Sequence, residues 1–305
     1  MKKLNDYLIG VDIGGTKTAI VVGSLNGEIL KKEKFPTPPT YRETLDLTFE
    51  IINKLIKEYK NICSIGISCG GPLNSKKGII ISPPNLPSFV NVEIVKEFKE
   101  KFNIPTYLDN DANACALAEW KWGNGKGMDN IIFLTFGTGL GAGLILNGHI
   151  YSGINGNAGE VGHIRLSDHG PLCYRKHGSF ESFCSGSGIS KLYQMKFNEI
   201  LSAKEICRRA NLGDNKSLEV IDESATNLGK GLAIIVDMLN PECIIIGSIY
   251  SRDEQLFKEK MFEILNKEAL IESLDNLKIL PSGLGENLGD MAALGVAING
   301  VDENG

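Results

Sequence analysis

The chain has 305 residues, of which 42% are hydrophobic and 23% are charged, and its formal net charge is -5. This length accommodates one large domain or two medium domains with a substantial core. A mildly acidic chain without a basic cluster lacks the electrostatic footprint that favours nucleic acid or an anionic membrane as a partner. Its longest apolar runs, such as IIFLTF, have the length of a strand, so the sequence predicts no membrane span.

The cysteines and the amino terminus suggest a cellular compartment. The chain opens MKKLNDYLIGVD, without an apolar segment long enough for a signal peptide. Seven cysteines form no regular framework, and an odd number in a chain without a leader predicts reduced thiols in the cytoplasm. Four cysteines in apolar surroundings are predicted to be small buried hydrophobic side chains: Cys63, Cys69, Cys115 and Cys243.

Strands and helices alternate in the first part of the chain. The pattern predicts two apolar strands, YLIGVD and TAIVVGSL, joined by the glycine turn IGGTK. Apolar residues at helical spacing predict a helix over YRETLDLTFEIINKLIKEY, followed by the buried strand ICSIGISC. Next come the amphipathic helix VNVEIVKEFKEKF, the strand IPTYLD, and the helix NDANACALAEWKWG, which begins at capping residues.

The second part repeats this organisation once. It begins with the strand IIFLTF, the turn GTGLG and the strand AGLILNG. A long helix is predicted over residues 217–239, then the buried strand CIIIG and helices around LFKEKMFEIL and NLGDMAALGVAIN. Strand, glycine turn and strand thus occur at residues 7–24 and 130–147. This repeat predicts two related α/β halves that face a cleft, with ligands bound at strand ends.

Each glycine turn departs from the better-known nucleotide motifs. DIGGTKT nearly matches a Walker A loop, but Thr16 follows Gly15 where that motif has lysine. GTGLGAG has Ala142 in place of the third glycine of the dinucleotide fingerprint, and a strand follows it instead of a helix. Backbone N–H groups of such hairpins bind anions, and glycine permits their close approach to phosphate. A single glycine hairpin is usually only a turn, but two at equivalent positions predict phosphate binding.

Asp12 heads the first turn at the end of a strand, where a carboxylate loses hydration unless it has partners. A hydrated Mg²⁺ beside nucleotide phosphates is one such partner, because this ion keeps most of its waters and needs few carboxylates. The alternative is an Asx-turn cap on the hairpin.

These motifs, in this order, resemble the ROK family of repressors, open reading frames and sugar kinases, in the actin-like ATPase superfamily. The matching segments are DIGGTKT and TFGTGLGAG for phosphate, DNDANACALAE for catalysis, GEVGH for sugar and PECIIIGS on the adenosine side. The resemblance extends over residues 7 to 300. It implies an α/β fold of two actin-like (ribonuclease H-like) α/β domains with a cleft between them. The expected domains are a small one at residues 1–118 and a large one at 119–287, with a helix near 288–305 packed back on the first.

The resemblance also implies roles for individual residues. Asp111 is expected to be the general base that phosphoryl transfer to a sugar alcohol requires. The expected sugar ligands are Gly71, Asn85, Asn110, Glu160, His163 and Glu181. ATP, with Mg²⁺, is expected to bind near Asp12, Gly14, Gly15, Thr16, Lys17, Gly137, Thr138, Gly139 and Gly247. The alternative is that Asn110 and Asp111 only cap the following helix, but capping explains one polar residue and not the run Asp-Asn-Asp-x-Asn. His163, likewise, has the alternative of a hydrogen-bonded loop histidine.

The loop after GEVGH differs from the family pattern, in which a histidine and three cysteines form a zinc module. His163 and Cys173 occupy two ligand places, whereas Arg175 and Ser179 occupy the others. A structural zinc site needs four ligands, so we expect the zinc to be absent and the loop to be held by packing and hydrogen bonds, with Tyr174 and Phe180 as anchors. His169, His177 and Cys184 are the candidates that would restore a zinc site.

The leading hypothesis is an ATP-dependent hexose kinase of glucokinase type that acts on the 6-hydroxyl. A kinase for N-acetylmannosamine, allose or fructose is the alternative, because the motifs hardly discriminate among sugars. A sugar-sensing transcriptional regulator is less favoured, since the first strand begins near Tyr7 and leaves no room for a preceding DNA-binding module. The expected partners are a hexose and ATP, without nucleic acid or membrane, and the resemblance implies a homodimer.

Overall fold

The structure is a computed structural model and describes residues 6–304. In chain order the strands are β1 (Tyr7–Ile13), β2 (Lys17–Ser24), β3 (Ile29–Pro36), β4 (Ile62–Cys69), β5 (Leu73–Asn74), β6 (Ile79–Ile80), β7 (Thr106–Asn110), β8 (Ile131–Phe136), β9 (Leu140–Leu146), β10 (His149–Ile150), β11 (Leu172–Cys173), β12 (Lys176–His177), β13 (Cys243–Ile246) and β14 (Lys278–Pro281). The helices are α1 (Tyr41–Glu58), α2 (Ile94–Phe102), α3 (Asp111–Trp122), α4 (Phe180–Phe183), α5 (Gly186–Phe197), α6 (Ala203–Asn211), α7 (Asn215–Leu239), α8 (Ile249–Glu268) and α9 (Leu288–Asn304).

The chain forms two compact units. The first comprises Met1–Gly127, Ile150–Asn157 and Leu284–Gly305, and the second comprises Met128–His149 and Ala158–Gly283. The domain boundaries drawn from the sequence, at residues 118 and 287, stay a prediction.

The first unit is built on a five-stranded sheet in the order β3-β2-β1-β4-β7. β1 and β2 form the antiparallel hairpin predicted from the sequence, while β4 and β7 run parallel to β1. Ile13 of β1 pairs with Cys69 of β4, and Cys69 pairs with Asn110 of β7. The three parallel strands therefore end at one edge of the sheet, which brings the first glycine turn, the segment after β4 and the start of α3 to that edge.

Helices cover the sheet of the first unit. α1 and α2 contribute Leu45, Ile52 and Phe98 to a core shared with β1, β2 and β4. α9 packs on β1, β4 and α3, and a Cβ on Gly66 of β4 would collide with the backbone of α9. Glycine at that position lets the helix lie directly on the sheet.

The second unit repeats this arrangement. Its sheet has the order β10-β9-β8-β13-β14, in which β8 and β9 form an antiparallel hairpin and β13 and β14 run parallel to β8. A large core of this unit joins the sheet to α5, α6, α7 and α8. The repeat of strand, glycine turn and strand predicted from the sequence is thus confirmed at the level of topology.

Two further sequence-based expectations concern the cysteines and the membrane. All seven cysteines are free thiols; Cys69 and Cys243 are buried as predicted, whereas Cys63 and Cys115 are only half-buried. Across residues 6–304 no helix is both long and apolar enough to cross a membrane.

Candidate active site

The first glycine turn, between β1 and β2, accepts hydrogen bonds from Thr37, which lies outside the turn. The Gly14 N–H donates to the Lys17 carbonyl at 3.1 Å, which closes the turn. The Thr37 hydroxyl donates to the Gly14 carbonyl at 2.6 Å, and the Thr37 N–H donates to the Thr16 carbonyl at 3.1 Å. The turn is therefore a fixed feature of the unit, which suits a role in binding an anion through the backbone.

Gly15 brings a second predicted residue next to this turn. A Cβ on Gly15 would overlap the backbone carbonyl and Cβ of Asn85. The predicted sugar ligand Asn85, which is exposed, thus lies against the predicted phosphate turn. Gly71 is also exposed and follows β4 at the same sheet edge, with open space around the position of a Cβ.

Asp12, the last residue but one of β1, lies opposite Ser68 of β4, whose hydroxyl hydrogen-bonds the carboxylate. The pKa of Asp12 is raised to about 6, mainly by burial and then by the charges of Asp111 and Asp290, whereas Lys17 and the hydrogen bond from Ser68 act to lower it. Burial and the two neighbouring carboxylates thus disfavour the ionised form of Asp12. A cation bound nearby would stabilise this carboxylate.

In the Asp-Asn-Asp-x-Asn run, three residues make hydrogen bonds that hold the local structure, and Asp111 is an exposed carboxylate. Asp109 is buried, and its Oδ1 accepts hydrogen bonds of 2.8 Å from the Asn110 N–H and from the Asn113 amide. Asn110 is the N-cap of α3, because its side chain accepts the Asn113 N–H at 2.8 Å. The capping alternative therefore holds for Asn110, whose sugar role stays a prediction. Asp109 and Asn113 have local structural reasons for their residue types, whereas Asp111 accepts hydrogen bonds from backbone N–H groups at its own helix terminus and stays exposed.

Asp111 is exposed to solvent at the first position of α3. Its Oδ1 accepts the Ala112 N–H at 3.0 Å. Loss of hydration beside the surrounding protein raises the pKa of this carboxylate, and hydrogen bonds from the backbone N–H groups of Ala112 and Asp111 lower it. The helix N-terminus favours the ionised form of Asp111. Since the residue is also exposed, its carboxylate can reach and accept a proton.

The second glycine turn, between β8 and β9, is attached to the N-terminus of α5. The Gly186 N–H donates to the Gly137 carbonyl at 2.7 Å. The Thr138 carbonyl accepts the Ser187 hydroxyl at 2.8 Å and the Ser187 N–H at 3.3 Å. These bonds direct two carbonyl groups of the turn toward α5 and fix the turn.

Glu181 lies beside this second turn and accepts three hydrogen bonds. A Cβ on Gly139 would lie 2.8 Å from Glu181 Oε2. Oε2 accepts the Leu140 N–H at 2.8 Å and the Tyr174 hydroxyl at 2.7 Å, and Oε1 accepts the Cys173 thiol at 3.1 Å. The carboxylate, only 9% exposed, is therefore held in one direction.

Tyr174 and Cys173 act as donors to this carboxylate. Burial, and then the hydrogen bond to Glu181, raises the pKa of the Tyr174 hydroxyl well above its usual range. The same two causes, in the same order, raise the pKa of the Cys173 thiol to about 11. Both groups consequently stay protonated at neutral pH.

His163 and Glu160 belong to the GEVGH segment, which lies against β9. The Ala142 N–H donates to the Gly159 carbonyl at 2.8 Å. His163 is exposed and stacks on Tyr174, with the ring centroids 3.7 Å apart and the planes 25° from parallel. Tyr174 thus contacts both Glu181 and His163, whereas Glu160 is exposed.

The loop that departs from the zinc pattern folds as a short hairpin, β11–β12. Tyr174 and Arg175 form its turn in the left-handed region, with φ of 51° and 61°. Ser179 caps α4, and the Cys184 thiol is buried and donates to the Ser224 carbonyl. Among residues 6–304, no three His, Cys, Asp or Glu side chains form a group suited to a metal ion. Phe180, the second predicted anchor, is fully buried.

Gly247 follows β13 and is buried. Its N–H donates to the Leu134 carbonyl at 2.9 Å, and a Cβ would lie 2.8 Å from the Phe133 ring. Packing accounts for glycine at this position, and the expected role of Gly247 in nucleotide binding stays a prediction.

Comparison with known proteins identifies the family. The chain belongs to the ROK family, whose model matches residues 8–299. Over 297 residues it is 32% identical to the xylose repressor of Caldicellulosiruptor bescii, a match that covers 91% of this chain and 74% of the repressor. The ROK hexokinase from Thermus thermophilus superposes with a TM-score of 0.88 at 27% identity, covering 98% of this chain and 100% of that one.

A second solved structure, the ROK family glucokinase from Streptomyces griseus in complex with glucose and AMPPNP, is 28% identical with a TM-score of 0.78, and covers 95% of this chain and 99% of that one. The predicted two-domain actin-like α/β fold is thereby confirmed. Relatives of two functional classes are about equally similar to this chain: a glucokinase is 29% identical to it and a DNA-binding transcriptional regulator 27%.

Proposed function

We propose that the protein is an ATP-dependent sugar kinase of glucokinase type, which phosphorylates the 6-hydroxyl of a hexose. The observation that carries this proposal is the division of roles in the Asp-Asn-Asp-x-Asn run. Asp109 and Asn113 hydrogen-bond each other and Asn110 caps α3, while Asp111 remains exposed. A carboxylate left accessible at a helix N-terminus has the chemistry of a general base for a hydroxyl proton.

The two glycine turns are proposed to bind the phosphates of ATP. Each turn is fixed from outside, by Thr37 in the first unit and by the N-terminus of α5 in the second. A turn that is already ordered loses little conformational freedom when it binds an anion. The nucleotide ligands in this proposal are Gly14, Gly15, Thr16, Lys17, Gly137, Thr138, Gly139 and Gly247.

Asp12 is proposed to hold the Mg²⁺ that accompanies ATP, through the waters of the ion. Its carboxylate fits this role because burial and neighbouring carboxylates disfavour its charge, which a cation offsets. When bound, Mg²⁺ supplies charge stabilisation for the transferred phosphate.

The sugar ligands are proposed to be Gly71, Asn85, Asn110, Glu160, His163 and Glu181. Glu181 has the clearest support, because donors on two sides fix its carboxylate while a second lone pair of Oε1 stays available for a sugar hydroxyl. Asp111 is proposed to take the proton of the reacting hydroxyl as the phosphoryl group is transferred.

Regulators are the second candidate class, because they match this chain at identities similar to those of the glucokinases. A regulator needs the sugar ligands but not the general base. Asp111, an exposed carboxylate whose contacts are with backbone N–H groups at its own helix terminus, therefore favours the kinase. A homodimer, a cytoplasmic location and the absence of nucleic-acid partners stay predictions.

The experiment that tests this function is an ATP-coupled assay of the purified chain with aldohexoses, ketohexoses and N-acetylhexosamines. Turnover with one sugar, abolished when ATP or Mg²⁺ is omitted, would support the proposal. N-acetylmannosamine, allose and fructose belong in the panel, because a preference for one of them would replace glucose as the substrate. Tight binding of a sugar without turnover of ATP would favour a regulator.

A further inference from the structure

The first unit contains a cavity of about 720 Å³ that the proposed reaction does not use. It lies beside β7, which is the last strand of its sheet, and is completed by the β5–β6 hairpin, α2, residues 150–153 and the end of α9. Its volume falls in the range of roughly 300–1,000 Å³ that small-molecule sites occupy.

Two buried polar side chains line this cavity with unused hydrogen-bonding capacity. Asp109 is 8% exposed and Asn299 is 7% exposed. Asp109 accepts both of its hydrogen bonds at Oδ1, so within residues 6–304 Oδ2 has no partner. The Asn299 amide likewise makes no hydrogen bond to the described part of the chain. A carboxylate oxygen and an amide that line one cavity are suited to hydroxyl groups of a ligand.

Three lysines supply positive charge to the lining of the same cavity. Lys76 and Lys77 on the β5–β6 turn and Lys99 on α2 line it and are exposed. None of the three forms an ion pair with another described residue, although Lys96 on the same helix as Lys99 pairs with Glu93. The lysines are therefore available to an anionic group in the same cavity as Asp109 and Asn299.

We propose that this cavity binds a sugar phosphate, with its hydroxyl groups on Asp109 and Asn299 and its phosphate on the lysines. The choice of a hexose 6-phosphate as the ligand rests on the proposed kinase function, whereas the site itself rests only on the cavity. Tyr151 also lines the cavity, is exposed, and offers a ring surface to the apolar face of a sugar.

Asp109 connects this site to the proposed base. The Oδ1 atom of Asp109 accepts hydrogen bonds from the Asn110 N–H and the Asn113 amide, and Asn110 caps the helix that begins at Asp111. A ligand bound to Oδ2 shares this carboxylate with the start of α3. We therefore expect a sugar phosphate in the cavity to lower turnover in a way that excess sugar does not overcome.

The test is calorimetric titration of the full chain with glucose 6-phosphate, and separately with glucose and inorganic phosphate. The variant Lys76→Ala/Lys77→Ala should weaken glucose 6-phosphate binding roughly tenfold or more, since hydrogen bonds to charged groups are lost. Asp109→Asn should weaken it as well. Lys96→Ala is the matched control on α2 and should leave binding unchanged. Glu181→Gln alters the proposed active site and should leave the lysine-dependent part of the binding unchanged. Thermal unfolding of each variant checks that it is folded.

Three results would overturn the site. These are no binding of glucose 6-phosphate, binding that Glu181→Gln removes and the lysine variant keeps, or equal affinity for inorganic phosphate, which would mean an anion site only. Binding that needs the lysines in a chain without kinase activity would support the site and reject the proposed function, so the two failures are distinguishable.

Discussion

The Tyr174 hydroxyl donates a hydrogen bond of 2.7 Å to Oε2 of Glu181. The ring of the same tyrosine stacks on His163. One side chain thus orients two residues proposed to bind sugar, from a hairpin that keeps Cys173 but has Arg175 at another ligand place of the zinc pattern. We expect hydrogen bonds and stacking, and not a zinc ion, to hold this loop.

Tyr174→Phe is expected to raise the KM for sugar several-fold with little change in kcat, because Glu181 loses one donor while the stack on His163 is kept. A hydrogen bond to a charged group contributes roughly 1.5–3 kcal/mol. Tyr174→Ala should raise KM more than Tyr174→Phe, because it loses the stack on His163 as well as this hydrogen bond. Steady-state kinetics with varied sugar measures both. Leu172→Ala, on the same hairpin and exposed, is the control; a KM for Tyr174→Ala equal to that of the control would rule out this role of Tyr174.

The loop should not depend on zinc. Purified protein is expected to contain well under one zinc per chain, and a chelator should change neither its unfolding temperature nor its activity. A four-ligand zinc site contributes roughly 10–16 kcal/mol in small zinc peptides, whereas Cys173 in this chain donates to Glu181. Elemental analysis and unfolding with a chelator check this expectation. Stoichiometric zinc whose removal abolishes activity would mean that His169 or His177 completes a site with His163 and Cys173.

Asp12 should reduce stability at neutral pH. Its pKa is raised from 3.8 to about 6 in the folded protein, so ionisation favours the unfolded state. Asp12→Asn should therefore stabilise the protein above pH 6, by at most about 3 kcal/mol. The gain should disappear as the pH falls below about 4, where Asp12 is protonated in both states.

Chemical denaturation at several pH values, without Mg²⁺ or nucleotide, measures this effect. Asp46→Asn, at an exposed position of α1, is the control and should show no such pH dependence. A gain from Asp12→Asn that is as large at pH 3.5 as at pH 8 would refute this assignment of the pKa. The same variant should lose activity if Asp12 holds Mg²⁺.

Gly15→Ala should disturb two proposed sites together. A Cβ at this position would overlap the backbone of Asn85, so the turn or the Asn85 segment must move. We expect KM to rise for both ATP and sugar. Gly289→Ala, where the added Cβ meets nothing within 4 Å, should leave both KM values unchanged. A Gly15→Ala variant with normal KM values would show that the contact with Asn85 is not needed.

Periodicity predicted the elements that are regular along the sequence. The two hairpins, β4, β7 and the long helix α7 were recovered because apolar residues mark their buried faces. β3 was missed, since its sequence ILKKEKFP is mostly charged and exposed, and so were α4 to α6. The helix predicted from Val90 begins only at Ile94, because Val92 pairs with Ile80 in a β-bridge.

Local motifs predicted the glycine turns, which the structure forms between β1 and β2 and between β8 and β9; their role in binding stays a prediction. Residues that act through contacts distant in sequence gave no signal. Thr37, which holds the first turn, lies 23 residues from Gly14, and no local pattern marks such a contact. Similarly, the sequence suggested Tyr174 as an anchor by packing, but not that it hydrogen-bonds Glu181.

The most direct test of the proposed kinase is the variant Asp111→Asn, which keeps the shape of the side chain and removes the base. General-base catalysis contributes about 10²–10⁴-fold in rate. We therefore predict that kcat falls by roughly a hundredfold or more, while calorimetry finds nearly unchanged sugar binding. Turnover close to that of the unsubstituted protein, in a variant that still binds sugar, would contradict the assignment of Asp111 and the account built on it.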